Sequence, residues 1–81
     1  MIDEIYLYKE FINRCIKENK ISVVNKLVNS FISENIEDEI KQEMNLHQID
    51  ILIEVLEDYK NNYELQNIKE KLIIYKKDIE N

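Results

Sequence analysis

Apolar residues return at three- and four-residue steps along most of the chain, the spacing that one face of an α-helix produces. Ile5, Tyr8, Phe11, Ile12, Cys15 and Ile16 form the first such stripe and predict a helix over residues 2–19. Leu7 borders the stripe, Lys9, Glu10, Asn13 and Lys17 lie opposite it, and Tyr6 points out among the polar residues. A second stripe, Val24, Leu27, Val28, Phe31 and Ile32, follows Ser22, whose hydroxyl suits a helix N-cap. That helix should end near residues 33–35. Asn35 is placed to cap a third segment, in which Ile36, Ile40 and Met44 are spaced by four. Glu37, Asp38 and Glu39 fall in its first turn, where acids complement the partial positive charge of a helix start.

Residues 44–49 carry a start signal of their own. Asn45 as N-cap and Gln48 at N3 make a capping-box variant, and Met44 and Ile49 flank it as a hydrophobic staple. This predicts a new helix from Leu46; the competing reading is one uninterrupted helix from Ile36. The next seam is Leu46, Ile49, Ile53 and Leu56, broadened by Leu52 and Tyr59. Beyond Tyr63 the phase breaks, and a new stripe runs Leu65, Ile68, Leu72, Tyr75, Ile79. In one continuous helix the two stripes would point roughly 140° apart. Asn61 and Asn62 sit at the jump, and asparagine tolerates the left-handed conformation that ends helices, so a tight αα-hairpin is expected there. The fold class is all-α: a small antiparallel bundle of four or five short helices in a single domain over residues 1–81.

Composition changes that picture little. Glycine, proline, alanine, threonine and tryptophan are absent, while isoleucine occurs fifteen times. Missing breakers favour helix, yet codon bias in an AT-rich genome explains the pattern more simply. Either way, asparagine and serine must make the turns and caps. A hydrophobic share of 44% is too much to leave in water, which excludes disorder. Cys15 is the lone cysteine, so no intrachain disulfide forms, and its place mid-stripe reads as a buried small hydrophobe. Asp3 and Glu4 stand where a secretory signal would be basic, and the longest apolar run, residues 72–75, is far short of the ~20 that span a bilayer. A cytoplasmic protein without membrane contact is expected.

Charge changes it more. Between residues 34 and 58 nine acids face one base, Lys41, so this stretch carries −8, and the segments before and after it, at +1 each, bring the net charge to −6. Asp50 and Glu54, and Glu54 and Asp58, are like-charge i,i+4 pairs, each unfavourable by about 0.2–0.5 kcal/mol in an isolated helix. Lysines of the last segment, Lys69, Lys76 or Lys77, could relieve this on a solvated face. Alternatively the acids form a docking surface, made of Glu37, Asp38, Glu39, Glu43, Asp50, Glu54, Glu57 and Asp58, for a basic protein patch.

Other chemistries are poorly supplied. Glu43, His47, Asp50 and Glu54 share a side only if the helix runs through Asn45, and one histidine makes a weak metal set; a His47–Asp50 surface contact is the simpler outcome. His47 and Glu54 as acid and base would need a pocket that shifts their pKa values. We therefore assign no catalytic, metal or cofactor residue. Direct nucleic-acid binding is opposed by the acidic balance, and the aromatics Tyr8, Phe11, Phe31, Tyr59 and Tyr75 fall at core spacing. Tyr6, Tyr63 and Ile74 lie off the stripes and are candidate apolar anchors for an interface.

These features point to a non-enzymatic protein-binding module that neutralises a basic protein, such as a nucleic-acid-handling enzyme or toxin. Size, charge and composition are those of bacterial or phage immunity proteins, antitoxins and inhibitors, an association without any residue motif. The alternative is a structural or regulatory homo-oligomer, a homodimer in the simplest case, assembled through the C-terminal helix.

Overall fold

The computed structural model describes residues 4–34 and 37–80. They form four helices, α1 (Glu4–Lys17), α2 (Ile21–Ser33), α3 (Glu39–Glu57) and α4 (Tyr63–Glu80), with no strand among the described residues. The all-α class therefore holds.

Asn19 shows how a chain without glycine ends a helix. Its φ of 62° lies in the left-handed region, the Lys20 N–H donates to the Cys15 carbonyl at 2.7 Å, and the Asn19 N–H donates to the Ile16 carbonyl at 3.1 Å. This is a Schellman closure with asparagine in the place glycine usually takes. The turn hands directly to Ile21, so Ser22 is not the N-cap expected of it. Lys20 holds that position with no side-chain cap bond, and Ser22 is an exposed residue of the first turn.

The expected cap Asn35 and the start at Ile36 lie outside the described residues. Asp38 caps α3, its Oδ1 accepting from the Ile40 N–H at 2.9 Å. From there the helix runs without a break to Glu57. The start signal at residues 44–49 is overturned, and the uninterrupted alternative is the one adopted. An asparagine inside a helix costs at most about 0.7 kcal/mol relative to alanine, too little to break a helix already started at Asp38. Asn45 is half-buried and lies beside the Glu34 carboxylate.

The αα turn forms where the phase jump placed it, by a different device. Asn62 is not left-handed; its Oδ1 accepts the Leu65 N–H at 3.1 Å as an N-cap for α4. Gln66 Nε2 donates back to the carbonyls of Leu56 at 3.0 Å and Tyr59 at 2.9 Å, satisfying the end of α3. The Tyr59 hydroxyl donates to Asn13 Oδ1 at 2.6 Å and ties this turn to α1.

One core cluster draws on all four helices, including Ile12, Val24, Val28, Ile49, Leu52, Leu56, Leu65 and Leu72, all at 0% exposure. α1 packs on α2 and α3, and α4 packs on the same two. Along the first seam Lys9 meets Glu54 and Asn13 meets Tyr59, so residue numbers rise together. Along the α3–α4 seam Asp50 meets Lys76 and Leu56 meets Gln66, so they run opposite. With extents of 35 × 35 × 18 Å the molecule is flat, its short axis about two helices deep.

Several side chains read as core are exposed, Ile32 at the end of α2 and, on α1, two more. Phe11 is 51% exposed and Ile5 is 42% exposed. The buried side of α1 centres on Ile12 and Cys15, and Phe11, about 100° from Ile12, lies beyond the cover that α2 and α3 provide. On α3 the seam is wider than its spacing implied: Ile51 and Val55 are buried beside Ile49, Leu52 and Leu56, because this helix packs against two neighbours. Cys15 is a free, buried cysteine.

Candidate functional site

At 100° per residue, Glu39, Glu43, Asp50, Glu54 and Glu57 fall within an arc of about 60° on α3. Glu37 and Asp38 precede this strip and Asp58 follows it, and all eight side chains are exposed. Continuity through Asn45 is what aligns the two ends of the strip. Had α3 restarted there, Glu39 and Glu43 would have belonged to another helix.

Lysines from both flanking helices reach onto the strip. Lys9 Nζ lies 2.9 Å from Glu54 Oε1, and Lys76 Nζ lies 2.5 Å from Asp50 Oδ1 and 3.8 Å from Glu80 Oε1. The hydrogen bond to Asp50, helped by the charges of Asp50 and Glu80, holds the Lys76 ammonium above its ordinary pKa. At the other end Lys41 bonds Glu34 at 2.9 Å and, with Asn45 nearby, holds that carboxyl below its usual range. Such exposed pairs contribute about 0–1 kcal/mol each. They relieve local repulsion without neutralising the surface.

The eight acids thus divide by role. Asp38 is a helix cap, and Asp50 and Glu54 are paired across helices. Glu37, Glu39, Glu43, Glu57 and Asp58 have no ion-pair partner among the described residues. Of the lysines expected to relieve the face, Lys76 does so, and Lys9 of α1 joins it. The anticipated His47–Asp50 contact is absent, because Asp50 turns to Lys76. Although α3 does carry Glu43, His47, Asp50 and Glu54 along one side, no group of three or more His, Cys, Asp or Glu is arranged to hold a metal among the described residues.

The apolar candidates are exposed but scattered. Tyr6 is 60% exposed on α1, Tyr63 81% at the start of α4, and Ile74 59% further along α4. Tyr63 and Ile74 are separated by about 16 Å of helix. Nothing gathers the three into one patch.

A groove between α1 and the first half of α3 was not anticipated. Ile5, Tyr8, Ile40, Met44 and Ile51 supply its apolar lining, with Glu4, Glu43, His47 and Asp50 also along it, and its volume is about 710 Å³. Ile40 and Met44 are 71% and 59% exposed. The Tyr8 hydroxyl is buried with no protein hydrogen-bond partner, and burial pushes its pKa up to about 12. The signal was present in the sequence, since Ile40 and Met44 are one turn apart. Spacing alone placed them toward the core.

Comparison of the chain with protein-family models, with curated proteins and with solved structures gives no match. No described helix is long and apolar enough to cross a membrane.

Proposed function

We propose that the protein is a non-enzymatic binding module whose acidic α3 surface docks a basic patch on another protein. The observation that carries this is the exposed strip of carboxylates that includes Glu39, Glu43, Glu57 and Asp58, which intramolecular pairing leaves unbalanced. A field of this kind draws in cationic surfaces and competes with nucleic acid for them, accelerating association 10-fold or more. In biological terms the reading is an acidic inhibitor, immunity or antitoxin-type protein acting in the cytoplasm. A non-catalytic role is supported by the exposure of both His47 and Glu54, which leaves this acid–base pair open to solvent. The architecture we read is two αα-hairpins, antiparallel within each and stacked so that α1 lies along α3 and α2 along α4. Such a scaffold holds the acidic strip on a long, rigid helix.

The test uses a protein that co-purifies with the chain from its native host. Association rate is measured against ionic strength for wild type and for the variant Glu39→Gln, Glu43→Gln, Glu57→Gln, Asp58→Gln. About 10-fold slower association at low salt, with a flattened salt dependence, is expected. Equal rates would retire the acidic surface. The second reading, a homo-oligomer through α4, rests on the 59% exposure of Ile74. A monomer by ultracentrifugation at micromolar concentration removes it.

A further inference from the structure

The apolar groove lies directly beside the acidic strip, and the two share Glu43 and Asp50. Ile40, Met44, His47 and Ile51 follow one another at helical steps along its α3 wall, and Ile5 and Tyr8 of α1 form the other side. From Ile40 to Ile51 the wall is about 16 Å long, or three helical turns. No lysine or arginine lines it, while Glu4 from α1 and Glu43 from α3 have no ion-pair partner among the described residues.

We propose that this groove takes a basic amphipathic helix of about three turns from a partner protein. The proposal rests on the protein-binding reading and names the partner's chemistry. An apolar floor with an acidic rim is complementary to a helix with leucine-like residues on one face and lysine or arginine on its borders. Methionine suits such a floor, since its flexible thioether adapts to different apolar surfaces. The charges select against other occupants. An acidic helix meets Glu4 and Glu43, and a second copy of this chain brings its own net charge of −6.

The test is a methyl and amide NMR titration of the full chain with three synthetic peptides. The first has leucines every three and four residues and lysines between them; the second is its scrambled isomer; the third replaces lysine by glutamate. The amphipathic lysine peptide should bind about 10-fold tighter than its scramble, a difference of about 1.4 kcal/mol. It should shift the methyls of Ile40, Met44 and Ile51 and leave Ile74 unmoved. Met44→Glu should weaken it about 10-fold, and Met44→Leu should bind as wild type; both exposed variants should keep the wild-type helical spectrum. Equal binding by the scramble, with shifts confined to Glu57 and Asp58, overturns the groove and leaves the acidic surface standing. Binding of the glutamate peptide as tightly as the lysine peptide overturns the basic occupant. Absence of binding by both lysine peptides at low salt overturns the groove and the acidic surface together.

Discussion

The two halves of α3 both carry apolar residues at helical steps, sparsely in the first and densely in the second, and they meet opposite fates. In the second half, Ile49, Leu52 and Leu56 are fully buried and Ile51 and Val55 nearly so, enclosed by α1 and α4. In the first half, Ile40 and Met44 stand 71% and 59% exposed over a groove. One half of the helix holds the fold together. The other half adds length, charge and an open apolar face that the chain's own packing does not use. Burial is decided by which neighbours a helix meets, so helical spacing at Ile40 and Met44 does not by itself bury them.

The largest expected effect contrasts one residue from each half. Leu56→Ala removes a fully buried side chain and should cost about 2–5 kcal/mol through lost contacts and a cavity. Met44→Ala, exposed on the other half, should change stability by no more than about 0.5 kcal/mol. Urea unfolding of the pair checks this. Equal losses would mean that the groove closes over Met44 and that the halves do not differ.

Tyr8 sharpens the boundary between the halves. Its hydroxyl is buried without a protein partner, so Tyr8→Phe should stabilise the chain by about 1 kcal/mol. The sign of the pH effect follows from burial. The folded-state pKa is raised from 10.0 to about 12, so the fold favours the neutral phenol. That contribution is complete below pH 10 and is lost as the pH rises to about 12. Tyr8→Phe should therefore reduce the loss of stability over this window in a comparison of unfolding midpoints. A steeper loss in the variant would mean that the phenol is not desolvated.

The smallest expected effect lies on the acidic strip. Asp50→Gln with Glu54→Gln removes two exposed ion pairs, worth about 0–1 kcal/mol each, and relieves the like-charge repulsion of about 0.2–0.5 kcal/mol along the helix. The terms nearly cancel, and the unfolding midpoint should barely move. A loss of several kcal/mol would make these lysine contacts part of the framework that holds α1 and α4 to α3.

The contrast between the halves also explains how far the sequence could be read. The all-helical class, the turn at residues 58–62 and the buried positions Leu65, Ile68 and Leu72 followed from periodicity, because α4 buries one narrow face. Ile51 and Val55 escaped, since a stripe analysis assigns one face and α3 buries two. Phe11, Ile40 and Met44 failed the other way. Their spacing is helical, but no local pattern says which residues a neighbouring helix will cover. The capping box at Asn45 was a sound local signal outweighed by a stronger start at Asp38. The eight acids were legible as a surface because charge demands exposure. The bonds of Lys9 to Glu54 and Lys76 to Asp50 were hidden, since they join residues 45 and 26 positions apart.

Amide hydrogen exchange along α3, in the free protein and with the amphipathic lysine peptide, tests the division of this helix most directly. Residues 49–56 should exchange only by global unfolding, and residues 39–48 should exchange faster through local opening. Added peptide should raise protection in residues 39–48 beyond any change elsewhere in the helix. Uniform protection along α3 in the free protein, with no change in residues 39–48 when the peptide binds, would contradict this division.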